Sequence, residues 1–262
     1  MGHGSLGPMQ VARFVHGELP AYGIVDGDEL VVLRSDPLFD SWDTTGERVR
    51  LDDVRLLSPV IPRSKVVGIG RNYAAHAAEM GNDLPVEPLV FLKPNTSVIG
   101  PDDPIVLPPY SQEVHHEAEL AVVISRMCKF VPAERAADVI FGYTVGNDVS
   151  ARDVQRSDSQ WTRAKGFDTA CPIGPWIETD LDVSDLAVRA WVDGELRQDG
   201  RTSDLIFPVA ELIEYVSGIF TLLPGDVILT GTPAGVGPID VGQRVEVEVE
   251  GIGRFGNPVV RR

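Results

Sequence analysis

Two glutamates one residue apart, Glu117 and Glu119 in HHEAELAVVI, stand at the head of an apolar run. Side chains alternate across a strand, so both acids leave one face while Ala118, Leu120, Val122 and Ile124 occupy the other. Without a partner such a pair repels itself until one member takes up a proton, and a bound cation removes that conflict. Residue preference alone would make a bare Glu-x-Glu a solvent-facing pair at a strand start. The next strand-like segment, in FGYTVGNDVSARDVQ, favours the cation: it ends on Asp148, a third carboxylate, beside Asn147 and Ser150. Three carboxylates with water oxygens suit a hard ion, Mg²⁺ or Mn²⁺, with Ca²⁺ as a substitute. Zinc fits less well, because His115 and His116 are adjacent and a strand turns only one of them toward the acids.

RNYAAHAAEMGN places His76 and Glu79 three residues apart on one helix face, where the carboxylate can orient and charge-stabilise the imidazole. A water-activating base or a proton shuttle needs that arrangement, although exposed helices also carry many such pairs without a role. GTPAGVG at 231–237 follows the apolar run VILT. It lacks the GK[ST] ending of a P-loop and is not itself a GxGxxG, so nucleotide binding at this run is poorly supported. Two readings stay open: a tight loop bringing Thr232 and backbone amides to a ligand, or a plain turn.

The elements that must position these groups are mostly strands. The first eight residues, MGHGSLGP, read as an extraneous leader before a native start at Met9. From Met9 to about Leu57, VARFVHG, AYGIVDG and ELVVLRS alternate with Gly and Asp turn-formers, the pattern of a small β-meander. This N-terminal β unit, residues 9–60, ends near Pro59 and Pro62, and residues 61–262 form the remainder. VVGIG after Lys65 reads as a buried strand and Asn72–Met80 as a helix closed by Gly81 and Asn82. Further strands are expected at Leu89–Leu92, Leu120–Ile124, Thr144–Asp148, Val188–Val192, Val227–Thr230 and Val245–Val249. Helices are expected at Ala133–Val139 and after Pro208. Many short strands and few helices predict a mainly β (α+β) fold rather than a doubly wound sheet.

Composition narrows the setting. The chain has 262 residues, 43% of them hydrophobic, enough for one large domain or a domain with a small appendage. No apolar run reaches membrane-helix length and the N-terminus has no signal-peptide pattern, so a cytoplasmic protein without membrane attachment is expected. A net charge of −16 opposes nucleic acids and anionic membranes. A small anionic substrate is still admissible, since a metal ion and a few local cations reverse the field inside a pocket. Cys128 and Cys171 read as buried thiols rather than a disulfide framework.

GRNYAAHAAEMG, FLKP, LPPYSQEVHHEAELAVVI, GNDVSARDVQ, WTRAKGFDTACPIGPW, GELRQDGRTSDLIFP and PGDVILTGTPAGVG follow one another between Val66 and Val236. In this order they resemble the short fumarylacetoacetate hydrolase family. The resemblance implies metal ligands at Glu117, Glu119 and Asp148 and a catalytic pair at His76 and Glu79. It implies substrate contacts at Arg152, Gln155, Lys165 and Thr232, with Lys165 also counted as catalytic. It further implies a mixed β-sandwich roll, a homodimer, and a small 2-oxo acid or dicarboxylate as substrate. Family members isomerise, hydrolyse, tautomerise or decarboxylate such acids, and the N-terminal β unit resembles members assigned as 2-hydroxyhepta-2,4-diene-1,7-dioate isomerases. Acylpyruvate or fumarylpyruvate hydrolysis and oxaloacetate decarboxylation or tautomerisation are the alternatives. A non-catalytic metal- or carboxylate-binding protein would not need His76 and Glu79, and a cupin-like dioxygenase would want more histidine ligands than five histidines in all readily supply.

Overall fold

The computed structural model describes residues 9–79, 81 and 83–261. Residues 1–8, MGHGSLGP, expected to be extraneous, and Met80 and Asn82 at the expected helix end lie outside the described residues. The described residues form a β-rich fold of three sheets, as the strand pattern predicts and in keeping with the mixed β-sandwich roll that the resemblance implies. The largest, of twelve strands, runs in the order Thr44–Arg50, Glu29–Leu33, Leu19–Asp26, Gln10–His16, Cys171–Glu178, Ile140–Asn147, Ala118–Ile124, Val227–Leu229, Val66–Gly70 and Leu89–Lys93, with two short strands beside this path. A five-stranded sheet runs Glu195–Arg201, Ala187–Val192, Arg244–Val249, Gly253–Val260 and Ile105–Val106. A three-stranded sheet holds Val114–His116 between Ser150–Ala151 and Gly237–Pro238. The strands of the N-terminal unit extend the largest sheet through the pairs Gln10–Glu178 and Val11–Ile177.

The strand Ala118–Ile124 is buried on both faces. Leu120, Val122 and Ile124 pack with Val188, Ala190, Val245 and Val247 of the five-stranded sheet. Ala121 and Val123, on the acids' own face, pack with Val66, Ile173, Val227 and Leu229. Burial on that face overturns a solvent-facing Glu117–Glu119 pair: both glutamates are buried.

Tertiary contacts alter the helices. The expected helix at Asn72 begins at Ala74, because Asn72 is fully buried and spent on other partners. Its Nδ2 donates to the carbonyls of Phe207 and Thr230, at 3.0 and 2.8 Å, and its Oδ1 accepts from the Phe207 N–H at 2.8 Å. Ala133–Val139 is 3₁₀ rather than α, and Val209–Ile219 follows Pro208 as expected, burying Leu212, Ile213 and Val216. Two further helices, Arg152–Ser157 and Thr162–Lys165, carry no periodic signal of their own. The first is pinned from outside: the Arg152 N–H donates to the Glu113 carbonyl at 2.7 Å, and Ser111 and Gln112 donate to the Asp153 carboxylate. Cys171 is buried, but Cys128 is only half-buried. Among the described residues no helix is long and apolar enough to cross a membrane.

Candidate active site

The three acids meet because of strand register. Ala118 pairs with Asn147 across the sheet, so the chain on either side brings Glu117 and Asp148 together. The Asp148 N–H donates to the Glu117 carbonyl at 2.9 Å, and the Glu117 N–H donates to Oδ1 of Asn147 at 2.9 Å. One carboxylate oxygen from each of Glu117, Glu119 and Asp148 lies within 4.8 Å of the other two, and all three residues are buried.

Cations surround this cluster unevenly. Lys165 Nζ donates to Glu117 Oε2 at 2.7 Å and to Asp148 Oδ2 at 2.5 Å. Lys93 donates to Asp148 Oδ1, and Arg152 Nη2 donates to Glu117 Oε1. Spacing alone leaves the acids without partners, whereas in the fold two of them have cationic ones. Burial pushes the Glu117 carboxyl up, but Arg152 and Lys165 outweigh it and hold the group well below the ordinary carboxylate range. Among the described residues Glu119 forms no ion pair, and its Oε2 accepts the Gly231 N–H at 2.7 Å. Burial, with the negative charges of Asp148 and Glu117, holds Glu119 well above the ordinary range. This donor set fits a hard divalent cation: three converging carboxylates, one of them lacking positive charge.

A cavity of about 230 Å³ opens beside the cluster, lined by Glu117, Glu119, Arg152, Lys165, His76 and Thr232, among others. The structure therefore unites the candidate ligands with most of the candidate substrate and catalytic residues. Gln155 also lines the cavity, and its Oε1 accepts from Arg152 Nη1 at 2.8 Å, while Arg152 Nε is buried with no partner. His76 is buried, with Nδ1 3.3 Å from Oε2 of Glu79. Burial lowers its pKa below the ordinary histidine value, so the imidazole is neutral near pH 7. Glu79 itself stays outside the cavity lining. Its carboxylate accepts the Gly235 N–H at 3.1 and 3.2 Å, which closes the His76 helix onto the 231–237 loop. That loop passes close to its neighbours: a Cβ on Gly231 would lie 2.7 Å from Asn72 Cβ, and one on Gly235 2.1 Å from the Arg197 carbonyl. The loop sets Thr232 on the cavity wall and the Gly231 N–H against Glu119.

The C-terminal family description of fumarylacetoacetate (FAA) hydrolase matches residues 65–260, and that of "Rv2993c-like, N-terminal" matches residues 9–59. The chain belongs to the fumarylacetoacetate hydrolase family. It is similar to the solved 2-hydroxyhepta-2,4-diene-1,7-dioate isomerase from Mycobacterium marinum, at 48% identity and a TM-score of 0.90, over 97% of this chain and 99% of that one. The mitochondrial oxaloacetate tautomerase FAHD1 of Arabidopsis thaliana is 45% identical over 205 residues, 76% of this chain and 92% of the relative. The fumarylpyruvate hydrolase from Pseudomonas aeruginosa, solved in complex with Mn²⁺ and pyruvate, is 35% identical with a TM-score of 0.73, over 79% of this chain and 92% of that one.

Several groups in and around the cavity carry little or no mark in the sequence. Lys93 ends the strand LVFLK, and period-2 alternation puts it on the face of Phe91, the one available sign that it points inward. Arg71 and Trp161 also line the cavity. Arg71 has a φ of 58°, a left-handed conformation that costs a non-glycine residue about 1–2 kcal/mol. Its side chain makes no hydrogen bond or ion pair among the described residues. Nothing local marks Arg71 or Trp161 as pocket residues.

Proposed function

We propose that this chain is a divalent-metal-dependent enzyme acting on enolisable 2-oxo acids or their 2-hydroxy-dienoic forms, and within that class a 2-hydroxyhepta-2,4-diene-1,7-dioate isomerase. One observation carries the reading: a buried imidazole, His76, lines the same cavity as a converging set of three buried carboxylates. Glu117, Glu119 and Asp148 would hold Mg²⁺ or Mn²⁺. When bound, the ion supplies a positive centre for the substrate's carboxylate and 2-oxygen, where enolate charge develops.

The remaining steps belong to side chains. Arg152, with Nη1 held by Gln155 and Nε unpartnered, offers an N–H to a substrate carboxylate. Lys165, fixed by Glu117 and Asp148, adds positive charge at the same end. Glu79 engages His76 through Nδ1, which leaves Nε2 as the nitrogen that moves a proton. In the dienol-to-ketone direction the 2-hydroxyl proton is lost, C5 gains one, and the 2,4-diene becomes a 3-ene with a 2-oxo group. Arg71 on the cavity wall supports a substrate with a second carboxylate. Similarity over nearly the whole chain to an isomerase of that dicarboxylate favours isomerisation within the class.

A second reading, oxaloacetate tautomerisation, draws on the 45% identity to the Arabidopsis thaliana relative and uses the same groups to move a proton between C3 and the 2-oxygen. A homodimer in the cytoplasm is part of the proposal, and sedimentation of the purified protein tests the dimer. The reaction is tested with a panel of 2-oxo, 2,4-dioxo and 2-hydroxy-dienoic acids in D₂O with Mg²⁺ or Mn²⁺, followed by NMR. Deuterium at C5 of an intact seven-carbon product is the expected result. Pyruvate release would show C–C hydrolysis instead, and no turnover of any substrate with either metal would refute an enzymatic role.

A further inference from the structure

Gln198 lies on the strand Glu195–Arg201 with no exposed surface, and every hydrogen-bonding position of its amide is used. Nε2 donates to Thr232 Oγ1 and to the Pro233 carbonyl, both at 2.8 Å. Oε1 accepts the Ala118 N–H at 2.9 Å and lies 3.1 Å from Nδ1 of His116. The orientation of the amide is forced: turned over, it would set an NH₂ against the Ala118 N–H and an oxygen against the Pro233 carbonyl. It follows that His116 carries its proton on Nδ1.

Thr232 completes a ring. Its hydroxyl accepts from Gln198 and donates to the Ala118 carbonyl at 2.8 Å, so both backbone polar groups of the residue between Glu117 and Glu119 are gripped by side chains. The sheet leaves this gap. On that edge of Ala118–Ile124 the neighbouring strand pairs only with Ala121, Val122 and Val123, and Thr230 serves the Leu120 carbonyl. Beyond that point no strand among the described residues supplies partners for Ala118 on this edge. One residue before Thr232, the Gly231 N–H holds the Glu119 carboxylate itself.

We propose that Gln198 is a positioning residue for the metal centre: it sets the backbone between Glu117 and Glu119 and keeps the Thr232 loop against it, so that the two carboxylates converge. The inference rests on the metal-binding part of the proposed function. One consequence concerns Thr232, whose hydroxyl proton is committed to Ala118, so toward a substrate it acts as an acceptor only.

The test uses the full chain with Mn²⁺ alone as probe, titrated by calorimetry, with melting followed by circular dichroism. Gln198→Met keeps the volume and removes all four hydrogen bonds. It should bind Mn²⁺ about 10- to 100-fold more weakly, the range typical for residues that orient metal ligands. Thr232→Val should fall in the same direction, Thr232→Ser should bind like wild type, and the double variant Q198M/T232V should lose little more than the worse single one. Wild-type affinity in folded Gln198→Met would overturn the role of Gln198 and leave the metal centre standing. A wild-type chain that takes up no Mn²⁺ would remove both. Should Gln198→Met fail to fold, the ¹⁵N-histidine spectrum of the wild type decides: an Nδ1–H tautomer at His116 supports the assigned amide, and an Nε2–H tautomer overturns it.

Discussion

Glu119→Gln isolates the property that distinguishes this site from an ordinary buried ion-pair network. Glu119 is the one carboxylate of the three without a cationic partner among the described residues, and its oxygen lies within 4.8 Å of the other two ligand oxygens. At an effective dielectric constant of about 20, two ionised groups at that separation would repel by about 3 kcal/mol, which together with burial drives Glu119 toward its protonated form. Glutamine is neutral without taking up a proton, and its side-chain oxygen still accepts the Gly231 N–H. The metal-free variant should therefore melt no lower than metal-free wild type. Wild type at a Mn²⁺ concentration one hundred times its Kd gains about 2.7 kcal/mol, which for a chain of this size raises Tm by roughly 5–10 °C. The variant should show less than a quarter of that rise. Thermal melts with and without Mn²⁺, backed by calorimetric titration, provide the assay. An unchanged Mn²⁺-dependent rise in Glu119→Gln would remove Glu119 from the ligand set, and a large loss of metal-free stability would show that it is a structural carboxylate.

His76→Ala and Glu79→Ala should each lower kcat while leaving Mn²⁺ affinity unchanged, and full turnover in both would assign proton transfer elsewhere. Because burial lowers the His76 pKa, the acid limb of kcat/KM should lie below pH 6.5. Glu79 favours the imidazolium, so Glu79→Gln should move that limb to still lower pH; a limb that stays put or rises would refute the pairing. Arg71→Leu should raise KM for a dicarboxylate substrate about 10-fold or more, the worth of a hydrogen bond to a charged group, and should spare a monocarboxylate analogue. Equal effects on both would take Arg71 out of substrate selection. Asp226 is fully buried and accepts from Ser64, the Leu223 N–H and, at 2.5 Å, Lys65 Nζ. Asp226→Ala should cost about 3 kcal/mol in urea unfolding without changing Mn²⁺ affinity, and a cost under 1 kcal/mol would contradict the pairing.

Much of this architecture is written in local pattern. Apolar or alternating runs mark many of the strands, among them Ala118–Ile124 and Arg244–Val249, and the spacing of Glu117 and Glu119 places both on one strand face whatever the partner strands are. The His76–Glu79 spacing sets their contact in the same way, because a helix brings residues three apart together. Short elements held by distant contacts are illegible. The helix Arg152–Ser157 exists because Ser111, Gln112 and Glu113 bind its first turn, and the expected helix start at Asn72 is lost to Phe207 and Thr230.

The sequence by itself determined the β-rich class and the carboxylate donors that a hard cation would suit, since these follow from residue type and from periods of two and of 3.6. Tertiary structure decided which charges meet. It set Lys93, Lys165 and Arg152 against two of the acids and left the third without one, a difference no spacing rule contains. It also decided that the acid-bearing strand is buried on both faces, that Glu79 closes onto Gly235, and that Gln198, 80 residues from Ala118, replaces the missing strand beside it. Each depends on the distance between groups far apart in the chain, and those distances exist only once the sheets have packed.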